Sequence, residues 1–191
     1  MTMRRGRLDI KDLTLCALFA ALLAVGTFVR IPTPLLPLTL QTLFVVLAGL
    51  VLGARRGALS VAVYVTLGLA GAPVFTQGGG LGYVLHPTFG YILAFIPGAW
   101  LAGRIAERMS PCMGSWILAG LSAIALIYAV GIPWYACVSR WALGRSLSAD
   151  VLIWTFVIMP LPGDVASCVV AAIATRRLRA LLPDRSDARE T

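Results

Sequence analysis

The segment Val157-Ile-Met-Pro-Leu-Pro-Gly-Asp-Val-Ala-Ser167 decides the fold because it places two prolines, a glycine and an aspartate in a strongly apolar region. Pro160 and Pro162 would each break hydrogen bonds inside a helix, but proline is favoured in a first helical turn. We therefore predict a helix over residues 162–181, about 30 Å long and able to cross a bilayer. Asp164 then lies in the first turn, where unpaired N–H groups and the helix dipole favour an anion.

An aspartate in such a segment needs a physical reason. A carboxylate at the centre of a transmembrane helix costs about 2.5–3.5 kcal/mol on insertion scales. Three arginines at the far end of the helix, Arg176, Arg177 and Arg179, place Asp164 near the opposite membrane face. This broken-helix setting suits a solute site. The alternative interpretation is an aspartate that caps the helix and faces water.

Composition predicts an all-α polytopic membrane protein. The 191 residues are 59% hydrophobic and only 13% charged, and the mean hydropathy is +0.89, values that suit a helical bundle in lipid. We predict one domain over residues 1–182 and a polar tail over residues 183–191. The net charge of +8 is spread over short groups between apolar stretches, which indicates membrane topology rather than nucleic-acid binding. The four cysteines lack metal or disulfide spacing, so we expect no metal and no cofactor.

Apolar runs and their interruptions predict six transmembrane helices. Their ranges are 13–29, 38–53, 58–71, 88–103, 113–133 and 162–181, and residues 150–159 form a half-helix before the last one. The predicted connections include a proline-rich loop at 30–37, a tight turn at 55–57, a glycine-rich loop at 72–87 and a charged connection at 104–112. Six crossings place both termini on one side of the membrane.

The distribution of basic residues predicts which side this is. Thirteen of the 16 Lys and Arg residues fall on the side of the termini, and the other three are Arg30, Arg140 and Arg145. This asymmetry predicts cytoplasmic termini. Asp164, Gln41, His86 and both irregular loops then gather at the outer end, where we expect an outward-open solute pocket.

Five short motifs occur in order along nearly the whole chain. They are PLTLQTL at 37–43, GAPVF at 71–75 before a glycine run, PTFGY at 87–91, YAVGIPW at 128–134 and PGD at 162–164. This set resembles the BioY family, the biotin-specific S components of energy-coupling factor (ECF) transporters. The resemblance implies an S-component fold in a prokaryotic cell membrane that captures biotin outside. It also implies an ECF transmembrane coupling protein and two ABC ATPases as partners.

The resemblance also implies a set of substrate-binding residues. The family's aspartate after Pro-Gly falls on Asp164, whereas the lysine usual three residues later is replaced by Ser167. His86, directly before Pro-Thr, stands where a polar ligand contact is expected. Gln41, Thr88 and Tyr91 can supply neutral donors and acceptors for biotin. With these, the full predicted set is Asp164, His86, Gln41, Thr88, Tyr91, Gln77 and Ser167.

Small residues four apart mark the first helix. The pairs Ala17/Ala21 and Ala20/Ala24 have a spacing that lets two helices approach closely in lipid. Packing inside the bundle is the commoner role of alanine pairs alone. The resemblance implies that these pairs dock on the coupling protein.

Three alternatives to biotin capture differ in class. The sequence has no Walker A motif, so any ATP hydrolysis belongs to a partner. The nearest alternative is a stand-alone facilitator, or an S component for another small vitamin. An enzyme using Asp164 and His86 as acid and base would lack a nucleophile, a metal cluster and a second buried acid, so we expect no enzymatic activity. A structural scaffold would leave Asp164 and the apolar loops without a purpose.

Overall fold

The helices of this protein form one bundle. The structure is a computed structural model that describes residues 10–31, 35–142, 144 and 148–181. The helices are α1 (Ile10–Phe28), α2 (Gln41–Leu52), α3 (Ala54–Leu69), α4 (Phe89–Arg108), α5 (Met113–Ala142), α6 (Ala149–Ile153) and α7 (Leu161–Leu181). A 3-10 helix spans Leu81–Leu85, and a π-helical turn, Trp154–Ile158, joins α6 to α7. The predicted tail at 183–191 and the middle of the proline-rich loop lie outside the described residues.

Length and composition confirm an all-α membrane protein. Four helical stretches in the described part are long and apolar enough to span a bilayer: Ile10–Phe28, Phe89–Arg108, Met113–Ala142 and Ala149–Arg179. Helices α2 and α3 are shorter, with 12 and 16 residues. The predicted number of six crossings therefore stays a prediction.

The turn between α2 and α3 differs from the sequence prediction. Arg55, Arg56 and Gly57 do not form the turn, because α3 already begins at Ala54. The chain reverses at Gly53 alone, whose φ of 84° is a conformation that glycine adopts without strain. Glu107 of α4 accepts a hydrogen bond from the backbone N–H of Ala54 at 2.8 Å. This bond satisfies one of the free donors at the start of α3.

The ends of α4 and α5 also differ from their predicted positions, because these helices include polar and proline residues that were expected to end them. Helix α4 continues to Arg108, so the predicted charged connection at 104–112 is reduced to residues 109–112. Helix α5 continues through Pro133 to Ala142, beyond its predicted end. An internal proline costs a backbone hydrogen bond, but packed neighbours make it tolerable in a membrane helix.

Glycines allow the helices to pack with their backbones close together. A Cβ added to Gly49 of α2 would lie 2.4 Å from the carbonyl oxygen of Ala99 on α4. A Cβ on Gly103 of α4 would lie 2.3 Å from the backbone nitrogen of Ala54. These approaches exclude any larger residue and hold α2, α3 and α4 together.

Contacts at one end of the bundle tie the start of α1 to α3 and the end of α7 to α2 and α5. Asp12 of α1 forms a 2.7 Å salt bridge with Arg56 of α3. Arg179 of α7 donates to the carbonyl of Leu50 at 2.7 Å, and its guanidinium lies 5.6 Å from the ring centre of Trp116. The start of α1 and the end of α7 therefore share the end of the bundle that holds the α2–α3 turn. We call this the charged end.

The opposite end carries the irregular loops. Strands β1 (Arg30–Ile31) and β2 (Leu38–Thr39) pair antiparallel there, with Arg30 opposite Thr39. The glycine-rich loop between α3 and α4 contains an isolated bridge between Phe75 and Gly78. We call this the loop end, and it positions the site described below.

The close approach at Gly49 predicts a measurable cost. We expect Gly49→Ala to destabilise the fold by about 1–3 kcal/mol, because the new methyl group meets backbone atoms that cannot move aside. Gly114→Ala is the matched control, since its added Cβ has nothing within 4 Å. Thermal unfolding of both purified variants is the measurement, and equal stability of Gly49→Ala and the parent would contradict this packing.

Candidate functional site

A cavity of about 330 Å³ lies at the loop end of the bundle. This volume is in the range of small-molecule sites in proteins. Most of its wall is apolar, with side chains from β1, β2, α4 and α5. The polar residues in the wall are Arg30, Thr39, Gln41, Thr42, Thr76, Thr88, Tyr91, Tyr128, Asp164 and Ser167.

Asp164 lies in this wall, in the first turn of α7, and is partly buried. The Tyr128 hydroxyl of α5 donates a hydrogen bond to Oδ2 of Asp164 at 2.5 Å. Thr42 of α2 lines the same wall. The hydrogen bond that the structure describes for this carboxyl group comes from a side chain of another helix. This geometry favours a positioned acid in a site over the alternative of a helix cap.

Tyr128 and Thr42 are site residues that the sequence analysis missed. Both lie within the motifs quoted above, but a motif does not tell which helix face points to the cavity. A buried carboxylate needs hydrogen-bond donors, and this requirement indicated that donor side chains would face Asp164. The pattern of the sequence alone did not identify which hydroxyls would do so.

Tyr91 of α4 is buried and lines the cavity, yet its hydroxyl is unpaired. Only 7% of the residue is exposed, and within the described residues its oxygen has no hydrogen-bond partner. Its ring packs against the backbone of α5 at Gly131, where an added Cβ would come within 2.6 Å of the ring. An unpaired buried hydroxyl is costly, and Tyr91 is therefore a polar residue of the wall whose hydrogen-bonding capacity is unused within the described residues.

Gln41 lines the cavity but uses its amide in a network within the protein. Its Nε2 donates to the Tyr64 hydroxyl at 2.7 Å, and its Oε1 accepts from Thr39 at 3.1 Å. The Tyr64 hydroxyl in turn donates to the carbonyl of Val74 at 3.0 Å and lies 3.1 Å from the Thr27 hydroxyl. Gln41 therefore joins the helices to the glycine-rich loop.

Thr88 and His86 form a second network beside the cavity. Thr88 lines the wall, and its Oγ1 lies 2.8 Å from Nδ1 of His86. The backbone N–H of Thr88 also donates to this Nδ1, at 3.3 Å. Nδ1 is thus an acceptor, which places the imidazole proton on Nε2. Burial lowers the pKa of His86 below its ordinary value, in keeping with a neutral ring.

The remaining predicted residues divide between the wall and its surroundings. Ser167 is buried in the wall, one turn beyond Asp164. His86 stands behind Thr88 and stacks on Tyr83, with ring centres 5.0 Å apart, rather than lining the wall itself. Gln77 is exposed on the glycine-rich loop and is also not part of the wall. The structure therefore brings Asp164, Ser167, Gln41, Thr88 and Tyr91 together, with His86 one contact away.

Comparison with known proteins identifies the family. The model of the BioY family matches residues 1–184. The chain belongs to the BioY family. It is 43% identical over 169 residues to the probable biotin transporter BioY of Lysinibacillus sphaericus, covering 87% of this chain and 86% of that protein. It is 36% identical over 181 residues to the biotin transporter BioY of Thermotoga maritima, covering 92% of this chain and 100% of that protein.

A solved structure has the same fold as this BioY-family chain. It is the 2.1 Å crystal structure of the S-component for biotin from an ECF-type ABC transporter. The TM-score is 0.77 with 27% sequence identity, over 94% of this chain and 95% of that chain. The predicted S-component fold is thereby confirmed, and the family is one of transporters rather than enzymes.

The alanine pairs of α1 have different environments. Ala17 and Ala21 are exposed on the outer face of α1. Ala20 is only 4% exposed and belongs to the core, and Ala24 is partly buried against that core. Ala20 packs inside the bundle, whereas Ala17 and Ala21 face outward. The docking role of the two pairs stays a prediction.

His86 predicts a pH dependence of stability. Because its pKa is lowered in the folded protein, the unfolded chain binds more protons, and stability falls as the pH drops below its ordinary pKa of 6.5. We expect His86→Asn, which keeps an acceptor for the Thr88 N–H, to lose less stability than the parent between about pH 7.5 and about pH 5.5. Thermal unfolding measured across this range tests the prediction, which an unchanged pH slope in the variant would contradict.

Proposed function

We propose that this protein captures biotin and takes part in its uptake as the S component of an ECF-type importer. The observation that supports this most directly is the cavity of a BioY-family chain with a positioned carboxylate in its wall. Asp164 uses Oδ2 for Tyr128, which leaves Oδ1 to accept hydrogen bonds from a ligand. The ureido ring of biotin offers two N–H donors for a carboxylate, and hydrogen bonds to a charged acceptor are the stronger kind.

The other groups of the wall complement the rest of the molecule. We assign the hydroxyl of Tyr91, which is buried and has no partner among the described residues, as the donor to the ureido carbonyl. Ile92, Phe95 and Ile127 offer apolar surface for the sulfur ring and the hydrocarbon chain of biotin. Among the predicted contacts, we retain Asp164, Thr88, Tyr91 and Ser167 for the ligand. Gln41 and His86 act by holding the wall in place.

The charges of the bundle support one orientation in the membrane. Among the described residues, the charged end holds Lys11, Arg55, Arg56, Arg104, Arg108, Arg176, Arg177 and Arg179, whereas the loop end holds Arg30 and Arg140. The excess of positive charge on one side supports cytoplasmic placement of the charged end in the cell membrane. The cavity at the loop end then faces outward and is loaded from outside.

Energy for uptake comes from partners in this proposal. The partners are a transmembrane coupling protein and two ABC ATPases, and the exposed Ala17 and Ala21 offer the small-residue surface on which the coupling protein packs. Two tests separate this proposal from the nearest alternatives. Biotin uptake measured with and without the partner module distinguishes it from a stand-alone facilitator. Competition by other vitamins distinguishes it from an S component for another vitamin.

Asp164→Asn tests the carboxylate. We expect this variant to bind biotin more than about tenfold more weakly, because its neutral amide replaces charge-assisted hydrogen bonds. Asp150→Asn is the matched control, since Asp150 is an exposed acid on α6 outside the cavity. Biotin binding to purified protein is the measurement. Equal affinity of Asp164→Asn and the parent would exclude a ligand contact for this residue.

Ala17→Leu tests docking separately from binding. We expect it to reduce co-purification with the partner module and biotin uptake, because a large side chain keeps the partner helix at a distance. Biotin binding to the isolated variant should stay unchanged, as Ala17 lies outside the cavity. Val170→Leu is the control, an exposed apolar residue on α7. Normal uptake by Ala17→Leu would remove α1 from the docking surface.

A further inference from the structure

Arg30 is a feature of the cavity that neither the sequence analysis nor the proposed contacts explain. Among the described residues of the wall, Asp164 is the acid and Arg30 is the cation. Asp164 is hydrogen-bonded to Tyr128 of α5, whereas Arg30 belongs to strand β1, which pairs with β2 and precedes α2. Arg30 is also exposed. The carboxylate therefore lies among the helices, whereas the guanidinium belongs to the exposed part of the cavity wall. We call this exposed part the mouth.

The contacts of Arg30 leave its positive charge without a matching negative charge. Its Nη1 donates to the backbone carbonyl of Thr76 in the glycine-rich loop, which is a neutral acceptor. The salt bridges within the described part of the chain join Arg56 to Asp12 and Arg104 to Glu107, and neither involves Arg30. A guanidinium carries five N–H donors in a planar fork that matches a carboxylate. Arg30 thus keeps further N–H donors with which it can bind an anion.

The backbone around Arg30 is held in place by the fold. Its strand partner is Thr39, which also lines the cavity and hydrogen-bonds to Gln41 at the start of α2. The bond from Arg30 to Thr76 connects this hairpin to the glycine-rich loop across the mouth. A side chain held on two connected loops is positioned before a ligand arrives, and this reduces the entropy lost on binding.

We propose that Arg30 binds the carboxylate of the transported ligand, an inference that rests on the proposed function of biotin capture. Biotin has the polarity that these residues require: a neutral ureido ring with N–H donors at one end and an ionised carboxylate at the other. The ureido ring pairs with Asp164 within the bundle, and the carboxylate pairs with Arg30 at the mouth. Ser167, one turn beyond Asp164, offers a hydroxyl and no charge.

This assignment makes Arg30 a determinant of specificity. A ligand of the same shape with a neutral end loses the charge-assisted bonds to the guanidinium. The protein then distinguishes the free acid from its amide or ester. Asp164 contributes equally to the binding of the free acid and of its neutral derivatives, because their ureido rings are identical.

The test compares two ligands with two matched variants. Biotin and biotinamide, its neutral carboxamide, are titrated against the purified parent protein, Arg30→Gln and Arg140→Gln. Arg140 is the control because it is an exposed arginine at the same end of the bundle that does not line the cavity. Both variants lose one positive charge, so a general effect of charge on ligand attraction affects them equally.

The expected result is selective. Arg30→Gln should weaken biotin binding by at least about tenfold and leave biotinamide binding within about twofold of the parent. Arg140→Gln should change neither affinity, and the parent should prefer biotin to biotinamide. Retained binding of biotinamide also shows that Arg30→Gln is folded.

Three outcomes would overturn the assignment. Equal weakening of both ligands, including loss of both, would make Arg30 a loop anchor through Thr76. Unchanged biotin affinity in Arg30→Gln, or equal weakening in Arg140→Gln, would remove the carboxylate contact. Failure of the parent to bind biotin would instead overturn the proposed function itself, so the two failures are distinguishable.

Discussion

The hydrogen bond from Tyr128 to Asp164 is the constraint on which the arrangement of the site depends. It joins α5 to the first turn of α7 at the level of the cavity. An acid in an apolar bundle is stable only where donors meet it, so this pair fixes how α7 begins relative to α5. Two helices are thereby joined by one carboxyl group, in a wall that Thr42 of α2 also lines.

Glycine packing supplies the precision that this polar contact needs. At Gly131 the ring of Tyr91 lies directly against α5, and at Gly120 the side chain of Cys168 on α7 does the same. These contacts set the spacing of α4, α5 and α7 around the cavity. The apolar bundle therefore positions a small number of polar atoms through close backbone approach, since hydrophobic attraction between helices is weak in lipid.

Much of the fold could be predicted from sequence because the signals are strong and local. The final helix begins one residue before its predicted start at Pro162, and Asp164 lies in its first turn as expected. The turn at 55–57 was wrong because two arginines look like a loop, although α3 holds them at its exposed end. Tyr128 and Arg30 escaped prediction because their importance depends on which helix face and which loop they meet, and this is tertiary information. The position of His86 behind the wall could not be predicted for the same reason.

The Tyr64 hydroxyl has a consequence for how the molecule moves. One oxygen atom connects Thr27 of α1, Gln41 of α2 and the Val74 carbonyl of the glycine-rich loop. Displacing that loop therefore disturbs the junction of three helices, and separating α1 from α2 releases the loop in turn. Movement of the glycine-rich loop and separation of α1 from α2 are thus coupled through one hydroxyl group.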